Sequence, residues 1–203
     1  MQAAEKLDRV TAAPERRFLL HDVPWAAYVA LRDALEGSGT RMTYLEGSLE
    51  LMSPSETHEE ETRLIARLID AWADHQDVDL RGFRSTTYRQ EIEKRGLEPD
   101  ECYTVGPKVA DAPPQIAIEV VVSSPLLDKL EVYAGLGVRE VWVWRSARRE
   151  LVVHRLVGGS YEKHSRSEIL PELDLSLLAA HVRAGESHTA LVKQYRAALG
   201  RVG

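Results

Sequence analysis

Three ionisable side chains near the middle of the sequence have the types and spacing that metal-assisted hydrolysis uses. Glu119 interrupts the nearly all-apolar run from Gln115 to Val122, and an ionised carboxylate in such surroundings is costly unless a metal or a cation accompanies it. Asp100, preceded by Pro99, opens the previous candidate strand. Neighbouring strands lie about 4.8 Å apart, close enough for two carboxylates to share one ion. An all-oxygen ligand set with water positions left open suits Mg2+, with Mn2+ as a substitute. Lys129 follows, with apolar Leu126 and Tyr133 at helical spacing on either side. Its stem can lie along the sheet while the ammonium reaches toward the strand ends, where it would orient water and offset charge on a pentacovalent phosphorus. Each residue also has a structural reading: Glu119 paired with Arg84 or Arg89, Asp100 satisfied by backbone N–H groups in a turn, and Lys129 solvated on a helix.

The elements that must position these residues can be read from periodicity. Residues 1–17 are polar and charged without clear period and read as a loose arm, with 18–203 as a single domain. Asp22 to Trp25 look like the start of a helix with apolar Tyr28, Leu31 and Leu35, closed by the glycines at 37 and 39. Met42 to Glu46 and Ser48 to Met52 flank Gly47 as a hairpin. Ile65, Leu68, Ile69 and Trp72 form one helical stripe within a helix from Glu56 to about His75. Strands are expected over Val78 to Arg89, Glu98 to Val105 and Gln115 to Val122, the last covered on both faces. Ser123 to Pro125 would cap a helix running to Leu136, Glu140 to Trp144 is the next strand, and Leu151 to Val157 with Tyr161 to Ser165 is a hairpin. Residues 186–199 read as a closing helix. The β-α-β crossover demands parallel pairing, and the class is α/β.

Composition narrows the function without fixing it. The chain has 203 residues, 44% hydrophobic and 29% charged, with a net charge of -6, which argues against a protein that coats nucleic acid through many phosphate contacts. It leaves a nuclease open, because carboxylates gathered for a cation make the empty site negative. The lone Cys102 forms no intramolecular disulfide and has no neighbouring ligand spacing, so a reducing, cytoplasmic compartment is expected. No run approaches the roughly 18 apolar residues of a membrane span, and none of the phosphate-loop, zincin or serine-hydrolase motifs occurs. Trp142 and Trp144 read as strand packing or dimer contact rather than base-stacking platforms.

The order helix, three strands, helix, strand, with an acid opening the second strand and another inside the third, resembles the PD-(D/E)XK nuclease core. More narrowly, Leu45 to Gly47, Leu51 to Pro54 followed by His58, Gly96 to Cys102, Ile116 to Val120, Asp128-Lys129 and Tyr133 to Trp142 resemble the Uma-two family of restriction-endonuclease-like proteins over roughly residues 22–180. The resemblance implies a restriction-endonuclease-like mixed sheet with an αβββαβ core, plus an extra N-terminal hairpin and a C-terminal hairpin. It further implies a Mg2+-dependent DNA endonuclease, expected as a homodimer. Asp100, Glu119 and Lys129 would be catalytic, with Asp100, Glu119 and Val120 as the metal set. Val121 occupies the place of the signature lysine two residues after the glutamate, so Lys129 would serve from the helix instead. His58, where relatives also carry histidine, and Glu46 and Glu50, near a hairpin position where many relatives carry an acid and this chain has Ser48, are auxiliary candidates. The alternative is a non-catalytic, dimeric nuclease-fold scaffold or nucleic-acid-associated regulator.

Overall fold

The computed structural model describes residues 14–200 apart from 84–87, 91–93, 108, 110–111 and 126, with the side chains of 88–90 also left aside. Its strands form two sheets. The larger is built from β4 (Leu80–Gly82), β7 (Glu101–Val105), β8 (Ile116–Val121), β9 (Glu140–Arg145), β10 (Glu150–Val157) and β11 (Ser160–His164), lying side by side in that order. All neighbours are antiparallel except β8 and β9, which run parallel. That one parallel pair is the one joined by a helix, α3 (Lys129–Leu136), as a crossover requires. With α2 (Glu56–Gln76) before β4, the chain runs α2-β4-β7-β8-α3-β9, the αβββαβ order of a restriction-endonuclease-like fold with a hairpin added at the C-terminal end.

The second sheet has the order β1-β3-β2-β6-β5, from β1 (Arg16–Leu20), β2 (Arg41–Leu45), β3 (Ser48–Ser53), β5 (Tyr88–Gln90) and β6 (Arg95–Leu97). The β2-β3 hairpin turns at Glu46 and Gly47, both with positive φ (47° and 95°), a left-handed pair that glycine enters without penalty. This sheet carries helix α1 (Trp25–Ala34), whose Tyr28 packs on Met42, Tyr44 and Leu49 and stacks on Tyr44 at 4.8 Å. Helices α4 (Leu175–His181) and α5 (His188–Leu199) complete the chain.

Alternation along β8 explains how a charged residue can sit in a central strand. Ile116, Ile118 and Val120 face a core under α2, α4 and α5 that includes Leu68, Trp72, Trp142 and Trp144. Ala117 faces the opposite side, with Val132, Tyr133, Leu136 and Val141 beneath α3, and the period of two puts Glu119 and Val121 on that side as well. The two tryptophans of β9 are wholly buried within the chain, so they are packing residues and not dimer contacts.

Several expectations are corrected. Residues 16 and 17, read as part of a loose arm, are the first two of β1, while residues 1–13 of that arm lie outside the described set. The strand expected over Val78 to Arg89 is the short β4 in one sheet and β5 in the other, because β5 pairs with β6, and β6 with β2, rather than extending β4. The strand expected from Glu98 starts at Glu101. The crossover helix starts at Lys129 rather than Ser123, because the Asp128 carboxylate accepts the Leu130 and Glu131 N–H groups and so fixes the N-cap there. Leu126 lies outside the described residues. Helix α4 has no counterpart among the expected elements, since its seven residues are too few to show a period.

Candidate active site

The β7-β8 ladder fixes the relation of the two acids. Its last pairs are Cys102 with Ala117 and Glu101 with Ile118, so one step further places Asp100 beside Glu119, and the Val120 N–H donates to Asp100 Oδ2 at 2.8 Å. Both residues are 3% exposed. Val120, expected in the metal set, thus orients Asp100 through its backbone.

Glu119 is met from α3. Lys129 Nζ donates to Oε2 at 2.5 Å, and the Tyr133 hydroxyl donates to Oε1. Lys129 and Tyr133 stand four apart, one helical turn, so one face of α3 presents both donors. Burial drives the Glu119 pKa above the ordinary carboxylate value and Asp100 adds to this, while Lys129 and Tyr133 oppose it. Burial also disfavours the Lys129 charge, but the Glu119 and Asp100 carboxylates outweigh it and hold that pKa above the usual lysine value.

Asp100 is met from α2. His58 Nε2 stands 3.0 Å from Asp100 Oδ1, and its Nδ1 stands 3.1 Å from Glu15 Oε2, so the imidazole lies between two carboxylates. Burial works against a charged His58, yet Asp100 and Glu15 raise its pKa above the ordinary value. Burial likewise resists ionisation of Asp100, but His58, Lys129 and the Val120 N–H overcome it and push the pKa down to about 2. The Asp100 Oδ1 is thus paired with His58, and Arg41 Nε lies 4.0 Å from the same oxygen.

Glu15 and Glu50 extend the network toward β1 and β3. Arg17 pairs with both, Ser123 donates its N–H and hydroxyl to Glu15, and the Leu127 N–H donates to Glu50 Oε2 at 2.9 Å. The structure therefore brings Asp100, Glu119, Lys129, His58 and Glu50 into one connected group. It leaves Glu46 out: that residue sits on the hairpin turn, its side chain mostly exposed and 3.4 Å from Arg95. Sequence reasoning passes over Glu15, Arg17, Ser123 and the Tyr133 hydroxyl. Tyr133 carries a usable signal, its helical spacing from Lys129, whereas Glu15 and Arg17 carry none in a segment without period. Arg84 lies outside the described residues, as does the side chain of Arg89, so the arginine-pair reading of Glu119 is answered only by its observed partners, Lys129 and Tyr133.

Glu119 and Lys129 open onto a cavity of about 470 Å³ between α3, the loop before it and strands β8 to β10. Asp100 lines a smaller cavity of about 230 Å³ with Arg41, Thr62 and Arg63 on the α2 side. Among the described residues no cluster of three or more His, Cys, Asp or Glu side chains is arranged to enclose a metal ion. Two carboxylates nevertheless fit Mg2+, which commonly takes one or two from the protein and completes its shell with water and substrate phosphate. An ion at Asp100 Oδ1 would share that oxygen with His58.

The element order is that of a restriction-endonuclease-like protein. The profile of the Uma2 family, described as "Putative restriction endonuclease", matches residues 25–183, and the chain belongs to that family. It is also similar to a solved structure described as a "putative nuclease belonging to DUF820" from Anabaena variabilis, at 15% identity and a TM-score of 0.43, over 76% of this chain and 90% of that one. No curated protein matches it. Among the described residues no helix is long and apolar enough to cross a membrane.

Proposed function

We propose that the chain is a divalent-metal-dependent endonuclease that hydrolyses phosphodiester bonds of DNA. Asp100 and Glu119 hold the cation, the Val120 backbone contributes beside them, and Lys129 orients the attacking water. The observation that carries this reading is Glu119 itself. A glutamate 3% exposed in a central strand, touching an ammonium and neighbouring a second buried carboxylate, is an arrangement that packing alone disfavours and that opens onto a cavity. Bound Mg2+ or Mn2+ would supply a more acidic water and would neutralise phosphate charge.

The chain's own residues perform the rest. Asp100, with a pKa of about 2, is ionised throughout the neutral range. His58, held by Glu15, fixes its orientation. The Lys129 ammonium, anchored through Glu119 and lining the cavity, is available to water and to negative charge accumulating on phosphorus. Cleavage of both strands of a duplex would call for a two-fold dimer, and the cytoplasm is the compartment where such an enzyme would meet DNA.

The test is cleavage of plasmid DNA with Mg2+ or Mn2+ by the wild type, Asp100→Ala and Glu119→Ala, with circular dichroism as the control for folding. Loss of cleavage in both folded variants supports the reading, and retention in both removes it. One observation favours the alternative of a non-catalytic scaffold: both Glu119 oxygens already have partners within the protein. Calorimetric titration with Mn2+ separates the two, since a scaffold has no reason to bind the ion in the micromolar to millimolar range.

A further inference from the structure

The cavity beside Glu119 and Lys129 is larger and more apolar than a phosphate and a hydrated ion require. Its walls include Val121, Leu127, Leu130, Val141 and Val143, and His154 lies among them. His154 comes from β10, pairing with Val141, which in turn pairs with Ala117 of β8, while Glu119 pairs with Val143. The imidazole therefore stands two strands across and two residues along from Glu119 on the same face, about 12 Å away at the backbone from ordinary sheet spacings. It is 5% exposed, and its buried Nε2 has no hydrogen-bond partner among the described residues. A buried polar atom left unpaired is destabilising and calls for an explanation.

Electrostatics decides what that atom can receive. Burial lowers the His154 pKa, Lys163 and Arg145 lower it further, and only Asp128 acts the other way. The ring is neutral near pH 7, a poor anchor for a phosphate but a good partner for a neutral group that both donates and accepts hydrogen bonds. Apolar walls around this one neutral polar atom, with the charged Glu119, Asp128, Lys129 and Arg145 also lining the cavity, describe a site for a planar, uncharged heterocycle carried on a charged chain.

We propose that this cavity receives an unstacked nucleobase of the substrate, seated between the apolar walls with its edge hydrogen-bonded to His154 Nε2, while the attached phosphate lies toward Glu119 and Lys129. Arg145, which lines the cavity and whose pair with Glu150 is exposed at 3.4 Å, stands near the path of the sugar-phosphate chain. A base held there must have left the helix, so substrates that are single-stranded or weakly paired at that nucleotide are preferred. This inference rests on the nuclease reading for its substrate, but the binding of a nucleotide can be measured without any cleavage.

The experiment is calorimetric titration of the full chain, in metal-free buffer at pH 7.5, with each of the four deoxynucleoside 5′-monophosphates and with deoxyribose 5-phosphate, which has no base. Wild type, His154→Leu and Val143→Phe are compared, and denaturation curves report whether the variants fold. At least one mononucleotide is expected to bind more tightly than the base-free sugar phosphate. His154→Leu should weaken that binding about five- to tenfold, the worth of one hydrogen bond, and Val143→Phe, which fills the cavity, should remove it. Equal binding of mononucleotides and the sugar phosphate, no binding of either, or wild-type affinity in both variants overturns the proposal. Cleavage of single-stranded and duplex oligonucleotides by the same proteins keeps the two readings separate. Cleavage unaffected by His154→Leu leaves a nuclease without a base pocket, and base-dependent binding without cleavage leaves the pocket without the nuclease.

Discussion

Replacing Lys129 by Met removes the ammonium from a carboxylate that is 3% exposed while nearly preserving the bulk of the stem. Glu119 then keeps the Tyr133 hydroxyl and the nearby charge of Asp100, which repels its own. Breaking a buried pair by deleting one partner typically costs about 3–5 kcal/mol, but a carboxylate can escape that cost by taking up a proton. In the variant the folded state then binds one proton more than the unfolded state, in which a glutamate titrates near 4.3, so unfolding stability falls with rising pH by about 1.4 kcal/mol per pH unit until the folded-state pKa is reached. Relative to wild type, the destabilisation in metal-free buffer should be about 1 kcal/mol at pH 5 and up to about 4 kcal/mol at pH 7. Urea denaturation at pH 5, 6 and 7 measures it. Adding Glu119→Gln to Lys129→Met should return most of the loss, because the residual group carries no charge. A gap that does not grow with pH, or a double variant no more stable than the single one, would show that Glu119 has another source of compensation and would refute the pairing argument.

Other perturbations probe the rest of the network. The raised pKa of His58 means that its stabilisation is complete below the unfolded value near 6.5 and is lost as pH rises through the folded value; thermal melts should show the gap between wild type and His58→Gln shrinking by on the order of 1 kcal/mol from acid to alkaline pH. Arg17→Met leaves Glu15 and Glu50 without their shared guanidinium and should cost about 3 kcal/mol in urea titrations, whereas a loss under about 1 kcal/mol would mean that β1 contributes nothing to holding the site. Glu140 accepts from Trp142 Nε1, the Ser167 hydroxyl and the Glu168 N–H at 2.7–2.9 Å; Glu140→Ala should therefore destabilise by about 3 kcal/mol, with exposure of Trp142 followed by fluorescence.

How much of this was legible in the sequence depends on the range of the interactions. The helix α2 shows in its period, and the strands β8 and β9 in nearly unbroken apolar runs, because each buries surface set by its own residues. The pairing of β6 with the hairpin at 41–53, and of β5 with β6, does not show, because three-residue strands have no measurable alternation. Glu119 is visible as an anomaly in an apolar run, and Lys129 as its complement at a helix start. Glu15 is invisible for the opposite reason: it is polar in a polar segment, and only the return of β1 alongside β3 brings it 3.1 Å from His58. Contacts across 43 residues leave no local trace when neither partner departs from its neighbourhood.

The placement of Lys129 argues that the site, rather than the helix, selects this residue. A lysine in the first turn of a helix opposes the positive end of the helix dipole, and Lys129 is the first residue of α3, directly after its Asp128 cap. A lysine at position 121 would have shared the face of Glu119 about 7 Å further along the strand, but that position is Val121, which lines the apolar cavity. Moving the ammonium to α3 brings it to Glu119 at 2.5 Å from outside the sheet and leaves the strand positions beyond Glu119 apolar. Local preference is thus broken at Lys129 and Glu119 together, and each becomes tolerable only in the presence of the other, the pattern expected where function rather than folding sets the residue.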